Sequence, residues 1–170
     1  MFFGYLRRLT GIFGTLLLVA NQVSAQGSDS TGNAMASVLP SLTIVRNSDT
    51  NWGRILVPVS GSATYYLDYS SGATSLVGGT GYCFSDGYAG DYTIYGSAYS
   101  SISFEVKPDR FNGDGLEISN LIVNGDKNSG TGQLDSTGAL NIRIGGYLEV
   151  QSYATIMTQT ATITVRANYQ

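Results

Sequence analysis

The side chains that could carry out catalysis are few and scattered in this sequence. There is no histidine, which removes the usual general base, the Ser-His-Asp and Cys-His arrangements, and most zinc sites. The three glutamates, Glu105, Glu117 and Glu149, fall in different predicted strands without the pairing signal that glycoside hydrolysis requires. We therefore expect no enzymatic activity, no catalytic residue and no cofactor.

Two short segments resemble ion or phosphate sites only in part. In residues 109–117 (DRFNGDGLE), Asn112 and Asp114 fit the third and fifth positions of a calcium loop, but Arg110 would then occupy the first ligand position. A turn held by Asn and Asp side chains explains the segment instead, so we expect no metal site. Residues 79–81 (GTG) lack the third glycine and the following helix of a phosphate-binding loop.

Cys83 is the single cysteine, so no disulfide can form within the chain. In an exported protein, such a cysteine is either buried as a small apolar residue or free to pair between chains. The aromatic neighbours Tyr82 and Phe84 favour burial.

Tyrosine is concentrated in one part of the sequence. Alternation along strands predicts that about half of these rings pack inward, and the outward half could form a patch that binds a glycan or a protein. The eight tyrosines between residues 65 and 99 are Tyr65, Tyr66, Tyr69, Tyr82, Tyr88, Tyr92, Tyr95 and Tyr99.

The first 25 residues have the pattern of a secretory signal peptide. Arg7 and Arg8 precede an apolar run over 11–20, and residues 23–25 (VSA) have the spacing of a cleavage site. The apolar run is too short to span a membrane, so we expect no membrane span in the mature chain. Cleavage after Ala25 leaves seven basic against twelve acidic residues. No basic cluster remains, which argues against nucleic acid as a partner.

Residues 33–45 (NAMASVLPSLTIV) alternate with a period of two, which is typical of an extended strand with one buried side. We interpret 26–45 as a linker followed by an N-terminal arm, a candidate donor strand that fills a groove in its own body or in a neighbouring subunit. The apolar face of this arm, continued through Pro40, carries Ala34, Ala36, Val38, Leu42 and Ile44.

The rest of the chain, 46–170, has short strand patterns separated by Gly, Asn and Asp turns and no sustained helical period. This pattern predicts an all-β sandwich or barrel. Asn124-Gly125 is a strong hairpin signal, and residues 70–81 are interpreted as a loop. The predicted strands are 52–59, 62–69, 91–96, 101–107, 116–123, 139–150 with an interruption at Gly145-Gly146, and 160–169.

Several motifs together resemble a known family. The sequence is similar to the bacterial secreted family called domain of unknown function 4402, itself similar to spore-coat-U and chaperone–usher pilin-like proteins. One departure is that residues 152–159 contain Tyr153 but no glycine before the last strand. The motifs are 52–55 (WGRI), 93–96 (TIYG) with Tyr99 and 102–104 (ISF), 134–138 (LDSTG), 144–150 (IGGYLEV) and 162–169 (TITVRANY).

This resemblance implies an immunoglobulin-like, pilin-like antiparallel β-sandwich that is exported to the periplasm and cell surface. It implies a non-enzymatic structural subunit of an extracellular fibre or fimbria, assembled by β-strand addition of the arm. The expected partners are other copies or related subunits, a periplasmic chaperone and an outer-membrane usher. The closing-strand residues expected to take part in assembly are Ala161, Ile163, Val165, Ala167 and Tyr169.

Two other functions fit the same sequence. A cell-surface adhesin would bind a glycan or protein through the tyrosine-rich face. A small outer-membrane β-barrel would also be rich in Tyr, Gly and alternating strands, but few strands here reach about 9–11 residues and the chain ends in Tyr169-Gln170 rather than in an aromatic residue.

Overall fold

The computed structural model describes residues 36–170, so the predicted signal peptide lies outside the described residues. One compact unit, Ser37–Gln170, contains all the strands described below. Residues 36–170 are all-β and contain no helix, which confirms the all-β part of the predicted fold. In this part of the chain there is accordingly no helix that is long and apolar enough to cross a membrane.

Ten strands form two antiparallel sheets that pack as a sandwich. The larger sheet has the order β1-β4-β9-β2-β3, with β6 paired to β9 and β7 to β6, and the smaller sheet has the order β10-β5-β8. The strands are β1 (Thr43–Ser48), β2 (Ser62–Leu67), β3 (Thr74–Gly79), β4 (Gly90–Tyr95), β5 (Ser101–Pro108), β6 (Leu116–Val123), β7 (Asp126–Lys127), β8 (Ser129–Gln133), β9 (Ala139–Gln151) and β10 (Ile163–Tyr169).

The long strand β9 organises the larger sheet. Its first half pairs with β4, whereas its second half pairs with β2 and β6. Gly145 and Gly146 lie between these halves. Glycine is required at both positions, because a Cβ on Gly145 would collide with the Leu67 carbonyl and one on Gly146 with the Asn120 carbonyl. The strand continues through the two glycines, and the register shift lies on β6, between Ile118 and Asn120.

Alternate residues of both sheets point into one core, as expected for half-buried antiparallel strands. Inner-face positions on β2, β5 and β9 are almost completely buried, while their sequence neighbours are more exposed. The largest fully buried side chains are Tyr65, Leu67, Ile94, Ile102, Val106, Leu121, Val123, Leu134, Ile142, Ile144, Leu148 and Val150.

Three local predictions are wrong. Residues 70–81 contain β3, an edge strand held by its main-chain ladder with β2. Residues 129–133 (SGTGQ), which fall in none of the predicted strands, form β8 because they pair with β5. The Phe104 ring lies over Gly130, where a Cβ would approach it to 2.6 Å. Residues 52–59 form no continuous strand, only an isolated bridge between Ile55 and Cys83 and a neighbouring one at Asn51.

Candidate functional site

Strands β1 and β10 are both edge strands. Each stands at the end of its sheet order, and in the described part of the chain β1 pairs only with β4 and β10 only with β5. The outer main-chain groups of both strands therefore have no strand partner among residues 36–170. We call the gap between these two strands the open edge. Its apolar lining consists of Leu42, Ile44, Ile163, Val165, Ala167 and Tyr169, which all pack partly buried against the core.

The open edge exposes part of the core, as a comparison of neighbouring strands shows. Val165 lies opposite Val106 in the β5–β10 register, and Ala167 lies opposite Phe104. Val106 and Phe104 are 0% and 4% exposed, whereas Val165 and Ala167 are only half-buried. Cross-strand partners share one face of a sheet, so the core is sealed over β5 and left open beside β10.

Tyr169 ties β10 to the segment that leads into β1. Its hydroxyl accepts a hydrogen bond from the Ser97 amide at 2.8 Å and donates one to the Pro40 carbonyl at 2.9 Å. Residue 96 must lack a side chain here, because a Cβ on Gly96 would lie 2.5 Å from the Tyr169 hydroxyl and 2.6 Å from Leu42. Tyr169 thus closes one end of the open edge, which we call the Tyr169 end.

Strand β1 is fixed to its own sheet by a polar ladder. The side-chain amides of Asn47 on β1 and Asn141 on β9 both donate to Asp91 Oδ1 on β4, at 2.8 and 2.6 Å. These hydrogen bonds, first that from Asn47, hold the pKa of Asp91 below its usual value. The ladder spans three adjacent strands, so β1 is an integral part of the larger sheet.

The residues predicted to form the apolar face of the arm occupy different environments. Ala34 lies outside the described residues, and Ala36 is exposed. Val38 is 93% exposed. Leu42 and Ile44 are half-buried, and Ile44 pairs with Ile94 on β4. Strand β1 therefore begins inside the predicted arm, at Thr43, and the described residues before it, 36–42, belong to no strand.

The closing strand has the alternation that the sequence predicts. Residues on one face of β10 are half-buried, whereas Thr164, Arg166 and Asn168 on the other face are exposed. Ala161, just before β10, is half-buried as well. The half-buried residues of the strand are Ile163, Val165, Ala167 and Tyr169.

The tyrosine-rich segment is divided between the core and the surface. Tyr65 and Tyr92 are buried, and Tyr65 donates to the Leu56 carbonyl at 2.8 Å. Burial raises the pKa of both phenols. Tyr66 and Tyr69 are half-buried. The exposed members are Tyr82, Tyr88, Tyr95 and Tyr99.

One exposed aromatic cluster lies on residues 82–88, a segment that forms isolated β-bridges with Asn51 and Ile55. The rings of Tyr82 and Phe84 meet edge to face at 5.1 Å, and the Arg54 guanidinium lies 4.4 Å from the centre of the Phe84 ring. Arg54 also pairs with Asp86, and its amide and side-chain hydrogen bonds lower the pKa of that carboxyl. In this cluster, two exposed aromatic rings contact each other and one of them also contacts a guanidinium.

The three glutamates lie on strands β5, β6 and β9. Glu105 pairs with Lys107 at 3.0 Å on β5. Glu117 and Glu149 face each other across β6 and β9, a pairing that sequence spacing could not show, and Gln151 donates to Glu149 at 2.9 Å. No group of three or more acidic or cysteine side chains within residues 36–170 is arranged to hold a metal ion.

The segment that resembled a calcium loop is a turn whose polar groups bond to a neighbouring loop. Asn112 Oδ1 accepts from the Thr160 amide at 3.0 Å, and the Asp114 carbonyl accepts from the Thr155 amide at 3.3 Å.

Cys83 is half-buried, and its thiol donates to the Thr74 carbonyl at 3.4 Å.

Comparison with known proteins agrees with this description of the body. No curated protein matches the chain. Residues 42–169 match a protein family whose description is Domain of unknown function (DUF4402). The match covers the body from the residue before β1 to the last residue of β10, including both strands of the open edge. The chain therefore belongs to the DUF4402 family.

Proposed function

We propose that this protein is a non-enzymatic structural subunit of an extracellular fibre or fimbria, and that copies join by β-strand addition at the open edge. In this proposal the body is an immunoglobulin-like, pilin-like sandwich, and the N-terminal arm of one copy fills the open edge of the next. The observation that carries the proposal is the half-buried apolar face of β10 beside the fully buried face of β5.

An open edge offers both kinds of contact on which strand addition depends, main-chain hydrogen bonds and side-chain packing. Unpaired main-chain groups on β1 and β10 can form a ladder with an added strand, and the half-buried side chains between them can accept its alternate residues. Edge strands left in this state are also prone to unwanted association. A strand that occupies the edge therefore prevents unwanted association and also buries apolar side chains.

The chain has a suitable donor just before β1. If cleavage follows Ala25, residues 26–39 precede the Pro40 bond to Tyr169 and are available as a donor. Seven residues matching β10 span about 23 Å in an extended strand. Ala34, Ala36 and Val38 would fall on one face of that strand. In its own chain the Val38 side chain is 93% exposed, so it does not fill the open edge there. This favours insertion into a second copy, a head-to-tail contact that builds open filaments.

Export and assembly partners follow as part of the same proposal. The signal peptide would take the chain to the periplasm, and the fibre would stand on the cell surface. An empty open edge needs cover before assembly, which is the task that a periplasmic chaperone performs for pilin-like subunits, with an outer-membrane usher as the site of assembly.

Deletion of residues 26–39 tests the proposal, because it keeps Pro40 and its bond to Tyr169. We expect the mature chain to form concentration-dependent filaments in electron micrographs and the deleted chain to stay monomeric. A matched pair sharpens the test: Val38→Asp should prevent assembly, whereas Ser37→Asp, on the other face of the arm, should not. Filaments from the deleted chain, or a mature chain that is monomeric at every concentration, would contradict the proposal.

A second candidate function is adhesion through the exposed cluster of Tyr82, Phe84 and Arg54. Exposed aromatic rings beside a cation suit the apolar faces and hydroxyls of a glycan, or an aromatic side chain of a protein. Binding of glycans to an assembly-deficient Val38→Asp monomer, abolished by Tyr82→Ala, would support this function. Retained binding in Tyr82→Ala would exclude the cluster as the site.

A further inference from the structure

The loop between β9 and β10 exposes an unusual amount of apolar surface. Ile156 is 90% exposed, Tyr153 is 72% exposed and Met157 is 62% exposed. We call these three residues the loop tip. Exposed apolar residues scattered singly over a surface are normal, whereas here three lie within five positions of one loop.

The loop tip stands on a well-anchored loop. Ala154 is buried in the core, and its amide donates to the Gln151 carbonyl at 3.0 Å. The side-chain amide of Gln159 donates to the Thr155 carbonyl at 2.9 Å, and Thr160 exchanges main-chain and side-chain bonds with Asn112. The main chain of the loop is therefore held in place, so a partner would bear less of the entropy of fixing it.

The loop tip also has a defined place beside the open edge. Strand β10 begins at Ile163, shortly after the loop, and ends at Tyr169, beside Pro40. The loop thus lies at the opposite end of the open edge from the Tyr169 end. An added strand antiparallel to β10 would run from the Tyr169 end towards the loop tip. We expect this direction because every strand pair in the described body is antiparallel and such pairs are more stable per residue.

The short stretch of chain between the inserted arm and the donor's own body places that body against the loop of the acceptor copy. Val38 is the last arm residue proposed to insert, and Pro40 is already bonded to Tyr169 of its own body. Two residue steps span at most about 7 Å. The donor's Tyr169 end must therefore abut the end of the acceptor where the loop tip stands.

We infer that the loop tip, Tyr153, Ile156 and Met157, is a docking surface for the Tyr169 end of a second copy of this chain; this inference rests on the proposed strand addition. The surface that would meet it is apolar too: Leu39 is 45% exposed and Tyr99 is 66% exposed. Tyr99 lies in the loop whose Ser97 amide binds Tyr169. The two complementary patches lie on different ends of the body, as a head-to-tail contact requires.

The double variant Ile156→Ser/Met157→Ser tests the inference in the full mature chain. Because both side chains are exposed, we expect unchanged folding but self-association weaker by about 10- to 100-fold in sedimentation experiments. Val77→Ser on β3 is the matched control, since Val77 is 53% exposed on a strand at the other edge of the larger sheet. Equal self-association of the double variant and the control would overturn the inference.

A binding experiment with a peptide of residues 26–41 distinguishes a failure of this inference from a failure of the proposed function. The peptide carries the arm without a body, so it should bind the double variant and the wild type with the same affinity. Failure of the peptide to bind either chain would count against strand addition itself. Peptide binding with unweakened self-association of the double variant would overturn only the docking surface.

A photo-crosslinker at position 156 gives the orientation directly. We expect crosslinks to residues 37–41 or 95–99 of another copy, mapped by mass spectrometry. Crosslinks to β3 or to the same loop of another copy would overturn the inference, because they would require a different arrangement of the two bodies.

Discussion

The hydroxyl of Tyr169, in the last strand, donates a hydrogen bond to the carbonyl of Pro40, just before the first strand, at a distance of 2.9 Å. This bond joins the two edge strands at one end and fixes the point where the N-terminal segment leaves the body. It separates a body that begins near Leu42 from the preceding chain, in which Val38 is almost fully exposed. Because this bond holds Pro40 against its own body, insertion of Val38 into a second copy would bring the two bodies into close contact.

Tyr169→Phe should destabilise the body, because it removes two hydrogen bonds and leaves the Ser97 amide without its partner. We expect a loss of about 1–3 kcal/mol in the free energy of unfolding, measured by urea denaturation. Tyr153→Phe is the matched control, since Tyr153 is 72% exposed, and it should change stability little. Equal stability of the two variants would show that the Tyr169 hydroxyl contributes nothing to the fold.

Val165→Asp should block assembly, because it places a charge on the half-buried face of β10 where the added strand would pack. Arg166→Asp changes the exposed face of the same strand and should leave filament formation intact. Circular dichroism of both monomers checks that the fold survives. Filaments from Val165→Asp at wild-type concentrations would rule out the open edge as the assembly site.

Gly145→Ala should destabilise the sandwich by about 1–3 kcal/mol, the range for a group forced into a filled site. The new Cβ would collide with the Leu67 carbonyl and the Tyr69 main chain, which belong to the adjoining strand and turn. Gly78→Ala is the control, because its Cβ would meet only Thr64 side-chain atoms at 3.5 Å. The ratio of the two effects, read from chemical denaturation, tests the close approach at the centre of β9.

Stability should be flat near neutrality and fall in acid. The pKa of Asp68 is about 2, chiefly because the Ser70 hydroxyl donates to it, and the pKa values of Asp91 and Asp135 are also lowered, first by bonds from Asn47 and Thr137. A carboxyl whose folded pKa lies below its unfolded value contributes stability above that unfolded value, and this is lost as pH falls through the folded value.

The urea midpoint should therefore stay constant from about pH 8 to 5 and drop between about pH 4 and 2, where aspartates titrate in the unfolded and folded states. The absence of histidine in the sequence removes the usual titration near neutrality. Asp68→Asn should flatten part of the acid loss. A large change in midpoint between pH 8 and 5 would contradict this assignment.

The sequence was informative wherever burial follows a period of two. The alternation of Ile102, Phe104 and Val106 predicted β5, and the same reasoning placed Ile163 and Val165 on one face of β10. The Asn124-Gly125 hairpin was also confirmed, because both residues have positive φ angles that this turn requires. In these segments local chemistry and tertiary packing agree.

The strands β3 and β8 could not be predicted because their stability comes from partners far along the chain. Residues 129–133 have small polar side chains and gain their ladder from β5. The open edge had the same limitation: alternation over 33–45 cannot tell a strand of the chain's own sheet from one donated to another copy. The structure assigns Thr43–Ser48 to the body, through pairing with β4 and the bond from Asn47 to Asp91.

Amide hydrogen exchange along β10 is the most direct test of the central claim that the open edge accepts an added strand. The peptide of residues 26–41 would be added in excess to a Val38→Asp chain, which should not assemble by itself. The account predicts that the amides of residues 163–169 that point away from β5 become protected, and that Val165→Asp abolishes this protection. Unchanged exchange along β10 at saturating peptide concentration would contradict the account.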